Sequence, residues 1–302
     1  MIRITIYLMT RNVQLLIPFL LLSLISCDIS DAGDKIQIYT SFFAMEDLAR
    51  KVGGQYVAVQ SIVPPGSEIH SYEPTTSDIV ALNDADMFVY NGAGLEHFVE
   101  GLKEAIPETE IRYVEASLGI DLLADDYRGD PHTWLSPLNA KKEMENIMNA
   151  LIEVDSAHQE YYQNRYQSFA DKFNRLDEDY QTLLAPGVGK YLVTGHSAFG
   201  YLTNEYGLVA LPIGGYDSEQ EPTQQDIANV ISIVQANGIR YIYAESMTPS
   251  AAVLTVIDET DAELAILYTL EGLTAEQMTT GEDYFSVMNT NLLAIAKGFS
   301  AL

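Results

Sequence analysis

Residues 162–183 read YQNRYQSFADKFNRLDEDYQTL, with an apolar residue at every third or fourth position. The apolar positions are Tyr162, Tyr166, Phe169, Phe173, Leu176, Tyr180 and Leu183. This spacing predicts one helix with a single apolar face, about 27 residues and on the order of 40 Å long. A coiled-coil arm is the alternative, but about three heptads with aromatic residues in the seam form a poor zipper. We therefore expect a long helix that runs along the body of the protein and joins two halves.

Strands alternate with helices on both sides of this long helix, which is the pattern of βαβ units and parallel sheets. The expected strands lie near residues 36–39, 56–63, 86–90, 191–194, 208–213, 241–244 and 264–268. The predicted fold class is α/β, with two lobes that each hold a mainly parallel sheet flanked by helices. The expected segments are 1–26 as signal peptide, 27–34 as flexible tether, 35–154 as N-terminal lobe, 155–186 as linking helix and 187–302 as C-terminal lobe.

The composition is strongly acidic, with 43 Asp and Glu against 16 Lys and Arg and a formal net charge of −27. Such a surface repels a phosphate backbone, which argues against nucleic-acid binding. It favours the approach of cations only weakly at physiological salt. The charge is therefore compatible with metal binding and does not establish it.

The N-terminus has the layout of a bacterial lipoprotein signal. Arg3 and Arg11 precede an apolar run at residues 13–24, which is shorter than the roughly 20 residues that a transmembrane helix needs. The run leads into LISC at residues 24–27, which resembles the lipobox, and Cys27 is the only cysteine. We expect cleavage before Cys27 and a lipid anchor on its thiol, so that the protein is exported and held at the cell envelope, periplasmic or on the outer face of the cytoplasmic membrane. A buried, inert cysteine is the alternative.

Three of the five histidines follow predicted strands, in loops rich in Pro, Gly or Ser. The loops are PPGSEIHSYEP with His70 (64–74), DPHTWLSP with His132 (130–137) and TGHSAFG with His196 (194–200). Loops after different parallel strands meet at the carboxyl edge of a sheet, so these histidines are candidates for one metal site. Gaps of 62 and 64 residues exclude the single-helix H-E-x-x-H layout. A hydrogen-bonded structural role is the alternative for each.

These three motifs, in this order and spacing, resemble those of the metal-binding subunits of bacterial ABC importers, the zinc and manganese solute-binding proteins. The resemblance covers nearly the whole mature chain, and the long helix and the lipobox are also features of that family. It implies capture of a metal ion outside the cytoplasm and delivery to an ABC transporter permease subunit. The metal is expected in the cleft between the lobes of a protein that is a monomer.

The resemblance also implies a fourth ligand, a carboxylate in the segment LEGLT at residues 270–274, which makes Glu271 the candidate. By chain position, two ligands then come from each lobe. Three imidazoles and a carboxylate suit four-coordinate Zn²⁺. The manganese-type members have two histidines and two carboxylates, with an acid in the place of His196, so Mn²⁺ or Fe²⁺ is the alternative ion. The His-rich loop of many zinc-type members has no counterpart here, because residues 122–129 hold no histidine.

Two further residues are candidates for supporting roles. Trp134 adjoins His132 and is expected to form a wall of the pocket, or to serve the core alone. Glu245 ends a predicted strand and is expected to orient a ligand histidine from outside the coordination shell, or to lie at the surface. The remaining histidines, His97 and His158, are expected to be solvated.

Two other classes of protein compete with this interpretation. A zinc metallohydrolase keeps an open metal position for water, whereas four protein ligands would close the site, and no candidate base is evident. We therefore expect that the protein is not an enzyme. Some relatives in the family are described as surface adhesins, and nothing in the sequence tests that role.

Overall fold

The computed structural model describes residues 35–123, 129–216, 221–246 and 249–300. The predicted signal peptide, the tether with Cys27, and residues 124–128 of the histidine-free loop lie outside these ranges. None of the helices in the described ranges combines the length and the apolar character that a membrane crossing requires.

The N-terminal lobe is built on a four-stranded parallel sheet in the order β2-β1-β3-β4. Its strands are β1 (Ile36–Thr40), β2 (Val57–Ser61), β3 (Met87–Tyr90) and β4 (Arg112–Glu115), and its helices are α1 (Phe43–Gly53), α2 (Thr76–Leu82), α3 (Val99–Ala105) and α4 (Pro137–Val154). All four residues of β3 are buried, as expected of a strand in a parallel sheet that is covered on both faces. The central strand β1 pairs through Ile38 with Val59 and with Met87.

Helix α5 (Gln159–Leu184) is the predicted long helix, with 26 residues and a length of about 39 Å. It contacts elements of both lobes. Arg165 Nε donates to the carbonyl of Lys51 in α1, and the Tyr180 hydroxyl donates to the carbonyl of Met288 in the last helix. The predicted apolar face is therefore the surface on which both lobes pack.

The C-terminal lobe repeats the topology of the first, with a parallel sheet in the order β6-β5-β7-β8. Its strands are β5 (Tyr191–Thr194), β6 (Val209–Pro212), β7 (Tyr241–Ala244) and β8 (Glu263–Ile266), and its helices are α6 (Gly200–Glu205), α7 (Gln224–Asn237), α8 (Ala251–Asp258), α9 (Ala275–Thr280) and α10 (Tyr284–Phe299). The predicted fold class, two α/β lobes joined by a long helix, is confirmed.

The main apolar core runs through the lobe boundary. One cluster of buried side chains includes Phe88 of β3, Phe173 of α5, Leu202 of α6 and Tyr284 of α10. Separating the lobes would expose this surface to water, at about 25 cal/mol for each Å² of apolar area. The fold therefore opposes a wide opening between the lobes.

His97 is exposed as expected, and His158 is only partly solvated, with 37% of its side chain exposed. The ring of His158 stacks on Tyr56 at 3.7 Å between centroids, and its Nδ1 lies 2.6 Å from Asp155 Oδ2. The same carboxylate oxygen accepts a hydrogen bond from the Tyr162 hydroxyl at 2.7 Å. His158 thus helps to fix the start of α5 against the N-terminal lobe.

Candidate metal centre

The four predicted ligand residues come together at the carboxyl ends of the two sheets. His70 follows β2, His132 follows β4, His196 follows β5 and Glu271 follows β8. One potential ligand atom from each of the four lies within 4.8 Å of the others. Parallel strands direct the loops at their carboxyl ends to one edge of the sheet, and here two such edges face one cleft.

His132 is fully buried and is oriented by Asp130. One oxygen of Asp130 lies 2.9 Å from the ring Nδ1 of His132 and accepts the backbone N–H of the same residue at 2.9 Å. This places Nε2 in the cleft, 3.2 Å from Nε2 of His70. Burial, with the neighbouring His196 and His70, holds the pKa of His132 well below its usual range. The ring is therefore neutral, which is the form that binds a metal ion.

His196 is almost fully buried, and its Nδ1 lies 2.9 Å from Glu245 Oε1. Its other nitrogen, Nε2, has no hydrogen-bond partner among the described residues. Burial opposes the charged ring, but the hydrogen bond and the charge of Glu245 outweigh it and raise the pKa of His196. A Cβ at Gly195 would lie 2.9 Å from Glu245 Oε2, so any larger residue there would displace this carboxylate.

Two carboxylates beside the ligands were not predicted from the sequence. Asp130 and Glu68 each stand two residues before a histidine, and the Oε1 of Glu68 accepts the backbone N–H of His70 at 3.0 Å. The same oxygen lies 4.0 Å from Nε2 of His70. The sequence did contain a signal for these two carboxylates, because an acid stands two residues before each of the two histidines. A carboxylate on the ring nitrogen away from the metal, as Asp130 is for His132, orients a histidine ligand and increases its basicity, whereas the hydrogen bond of Glu68 fixes the backbone of His70.

Glu271 presents a carboxylate to the cleft with only 13% of its side chain exposed. Its Oε1 lies 3.8 Å from His132 Nε2 and has no hydrogen-bond partner among the described residues. Burial raises the pKa of Glu271 to about 7, with His196 opposing the rise and Glu68 adding to it. A buried carboxylate oxygen without a donor is costly unless a cation or a proton occupies the space next to it.

Trp134 belongs to the core, and its role as a wall of the pocket stays a prediction. Its side chain is fully buried, and its ring centroid lies 4.6 Å from that of Phe42 and 5.3 Å from that of His132. The indole N–H donates to the carbonyl of Thr269 at 2.6 Å.

Solvent reaches the site through a cavity of about 380 Å³. This cavity forms the mouth of the site, and it is lined by the carboxylates of Glu68, Glu245 and Glu271 and by the ring of His196. The donor set behind it is three imidazole nitrogens and one carboxylate oxygen, which suits a four-coordinate transition metal ion such as Zn²⁺. The two acceptor atoms without partners, one on His196 and one on Glu271, fit the same interpretation.

The chain is similar to known metal-binding proteins. The chain is 33% identical over 278 residues to the high-affinity zinc uptake system protein ZnuA of Bacillus subtilis, with 87% of each chain covered. It is 34% identical over 275 residues to the iron-binding protein YfeA of Yersinia pestis, covering 89% of this chain and 88% of that protein. The Zn(II)-bound ZnuA-like domain of Streptococcus pneumoniae AdcA superposes with a TM-score of 0.78 at 32% identity, covering 88% of this chain and 100% of that one.

The family model that matches the chain spans residues 38–298, which include all four candidate ligands and both sheets except for the first two residues of β1. That model describes a periplasmic component of a zinc-uptake complex, which is a binding component and not a class of enzyme. The chain belongs to the ZnuA family of periplasmic zinc-uptake components.

Proposed function

We propose that the protein captures Zn²⁺ outside the cytoplasm and delivers it to an ABC import permease. The observation that carries the proposal is the convergence of potential ligand atoms from His70, His132, His196 and Glu271 within 4.8 Å. Three imidazoles and one carboxylate form a closed four-ligand set, which suits tight capture better than catalysis at an open metal position.

The residues of the chain carry out the capture without bond chemistry. Asp130 and Glu245 hold the rings of His132 and His196 so that one nitrogen of each faces the cleft. Glu271 adds a negative charge that offsets part of the charge of the ion. Because the apolar core crosses the lobe boundary, release would proceed by rearrangement of the loops at the mouth of the site and not by a wide opening of the lobes.

A second candidate ion is Fe²⁺ or Mn²⁺, since the relative from Yersinia pestis is named an iron-binding protein. Manganese is bound more readily by sites with more oxygen ligands than this one offers, whereas imidazole suits both zinc and iron. The presence of a histidine at position 196 therefore favours zinc over manganese, and the names of the zinc-binding relatives favour zinc over iron.

The proposal includes anchoring at the cell envelope through a lipid on Cys27, which follows the apolar run at 13–24, and a monomeric protein with the segments expected from the sequence. Changing Cys27→Ala in a cell that expresses the full chain should release the protein from membranes and abolish labelling by a clickable fatty acid. A variant that stays lipid-labelled would contradict the anchor, without bearing on metal binding.

Native mass spectrometry of the metal-free protein with Zn²⁺ and Mn²⁺ together tests which ion the protein binds. We expect one Zn²⁺ per chain, retained against excess Mn²⁺. Changing His196→Ala should weaken Zn²⁺ binding by more than about 100-fold, since loss of a ligand exceeds the 10–100-fold effect of losing an outer partner. The matched control is His97→Ala, because that histidine is exposed. Absence of Zn²⁺ binding, or equal effects of the two changes, would refute the proposal.

A further inference from the structure

The backbone that carries Glu271 passes from one lobe to the other within two residues. Up to Tyr268 it belongs to the C-terminal lobe, where Asn291 of α10 accepts the N–H of Tyr268 at 2.9 Å and donates to its carbonyl at 2.8 Å. The next carbonyl, that of Thr269, accepts the indole N–H of Trp134 in the N-terminal lobe at 2.6 Å.

The following two carbonyls also bond to the N-terminal lobe. The backbone N–H groups of Ala44 and Phe43, at the start of α1, donate to the carbonyls of Leu270 and Glu271 at 3.2 and 3.3 Å. These N–H groups belong to the first turn of a helix and have no partner within the helix itself. Residues 269–271 are thus held by three hydrogen bonds from the N-terminal lobe.

The backbone conformation of Leu270 shows that the surrounding structure imposes this attachment. Its φ is 61°, in the left-handed region that residues with a Cβ rarely adopt, and its side chain is buried. Such a conformation persists only when the surroundings over-determine it. Here the bonds on either side of Leu270 force the chain to turn, and the turn directs Glu271 into the cleft.

Trp134 connects this segment to the ligand next to it. It lies two residues after His132, in a single 3-10 turn (Thr133–Leu135), so the two side chains share one short piece of backbone. The Tyr284 hydroxyl donates to the Trp134 carbonyl at 2.7 Å, which fixes that backbone from a second direction. The only polar atom of the indole ring is used on the carbonyl of Thr269, two residues before Glu271.

We propose that Trp134 is a positioning residue that sets the place of the Glu271 carboxylate relative to His132, by holding residues 269–271 on the N-terminal lobe. This inference rests on the proposed function and deepens it. By chain position the ligands divide two and two between the lobes. By hydrogen bonding, Glu271 joins His70 and His132 on the N-terminal lobe, and His196 is the single ligand that the C-terminal lobe carries.

A double-mutant cycle tests this role. Zn²⁺ affinity is measured by chelator competition for the full chain, for Trp134→Phe, for Glu271→Ala and for the double variant. Loss of one hydrogen bond should weaken binding by about 3- to 10-fold in the Trp134→Phe protein. The same change in the Glu271→Ala background should have less than about a twofold effect, because the carboxylate that Trp134 positions is gone. Additive effects would overturn the proposal.

Tyr113→Phe is the matched control for a general loss of stability, since it removes a different buried hydrogen bond of the N-terminal lobe, from the Tyr113 hydroxyl to the carbonyl of Ile106, and keeps the ring. We expect it to lower the melting temperature and to leave Zn²⁺ affinity within about twofold of the unmodified protein. If Tyr113→Phe weakened binding as much as Trp134→Phe, the role assigned to the indole N–H would be wrong.

The visible absorption of bound Co²⁺ is a measurement that Trp134→Phe would leave unchanged if Trp134 had a purely structural role. At saturating Co²⁺, the visible absorption of Trp134→Phe should move towards that of Glu271→Ala, because the carboxylate no longer holds its position in the coordination sphere. A spectrum identical to that of the unmodified protein would contradict the proposal. If Trp134→Phe fails to fold, the sulfur analogue of tryptophan, β-(3-benzothienyl)alanine, removes only the N–H, since Trp134 is the only tryptophan in the chain.

These outcomes separate the two proposals. If the unmodified protein binds no Zn²⁺, or if Glu271→Ala binds as tightly, the proposed ligand set fails. If Glu271→Ala weakens binding while Trp134→Phe acts additively, the ligand set stands and only the positioning role fails.

Discussion

His196 and Glu245 meet through Nδ1 and Oε1 at 2.9 Å, although 49 residues separate them in the chain. Their contact follows from the topology, because each comes directly after a strand and β5 and β7 are neighbours in the sheet. A carboxylate on Nδ1 keeps the proton on that nitrogen and leaves Nε2 as the donor to a metal.

Substitutions of Glu245 should weaken metal binding to different extents. Glu245→Ala removes both the acceptor and the charge, and we expect Zn²⁺ affinity to fall by about 10- to 100-fold. Glu245→Gln keeps an acceptor oxygen, so its loss should be smaller. Isothermal titration of the stripped protein checks both, with Glu263→Gln at the exposed start of β8 as control. Equal affinities for Glu245→Ala and the control would contradict the role of the carboxylate.

Zn²⁺ binding should weaken as the pH falls from 8 to 6. The pKa of Glu271 is raised to about 7 and that of His196 is raised above its usual value, so both hold protons that the ion must displace. His132 adds nothing in this range because its pKa is held far below it. Affinity should drop by up to about tenfold per pH unit for each protonated group. Competition at three pH values checks this, and Glu271→Gln should show a shallower slope than the unmodified protein.

Glu143 should make the stability of the metal-free protein depend on pH. It is fully buried in α4, and neither carboxylate oxygen has a hydrogen-bond partner among the described residues, since the nearby Thr133 hydroxyl donates to Asn91. Burial, with the charge of Glu96, raises the pKa of Glu143 to about 8, against a smaller opposing effect of Thr133.

The folded state therefore binds more protons than the unfolded state between about pH 4.5 and 8, and stability falls as the pH rises through that window. In the Glu143→Gln protein, the fall in the free energy of unfolding between pH 5 and 8 should be smaller by roughly 3–4 kcal/mol. Urea unfolding at the two pH values measures it, with the exposed Glu153→Gln in the same helix as control. Parallel pH profiles for the unmodified protein and Glu143→Gln would show that Glu143 does not titrate in this range.

Loss of the largely buried cation Lys51 should destabilise the fold more than loss of an exposed lysine. It pairs with Asp47 of α1 at 2.7 Å and with Asp283, which caps α10, at 2.8 Å, and only 11% of its side chain is exposed. Lys51→Met should lower the free energy of unfolding by about 2 kcal/mol at pH 7, a value below that of fully buried pairs because 40% of Asp283 is exposed.

The Lys51 effect should also depend on pH. Burial opposes ionisation of Asp283, but Lys51 and Ser286 lower its pKa. The stabilisation is thus present above the ordinary pKa and is lost as the pH falls through the lowered one. Denaturant unfolding at pH 7 and pH 3 checks this, with Lys142→Met as control because the Lys142–Glu145 pair is exposed and worth less than about 1 kcal/mol. Equal losses for the two lysines at pH 7 would contradict the prediction.

The apolar pattern predicted the long helix and missed the helix before it. The stripe of α5 appears as expected from Tyr162 to Tyr180, but Leu183 is 42% exposed and the adjacent Leu184 is buried instead. Helix α4 was not predicted, although Ser136 and Pro137 mark its start and its buried apolar residues also have helical spacing. The acid Glu143 lies on the buried side of this helix, so the sequence makes that side look more polar than it is.

The three histidines could be placed because loops after parallel strands meet at one edge of a sheet, whereas Glu271 came only from the resemblance to the family. Glu245 was expected beside a ligand histidine and lies 2.9 Å from His196 Nδ1. The hydrogen bonds between the lobes could not be predicted, since they depend on packing over long sequence distances. The attachment of residues 269–271 to the N-terminal lobe is the clearest case, because chain position alone assigns Glu271 to the other lobe.

The three carboxylates at the mouth of the site bear on how fast an ion is captured. A cleft lined by one sign of charge focuses the field and raises the association rate of an oppositely charged ion, and added salt screens this attraction. His132 and His196 are buried and only 13% of the Glu271 side chain is exposed, so screening at these ligands is weaker. Ionic strength should therefore change the rate of arrival of the ion far more than the time for which it stays bound.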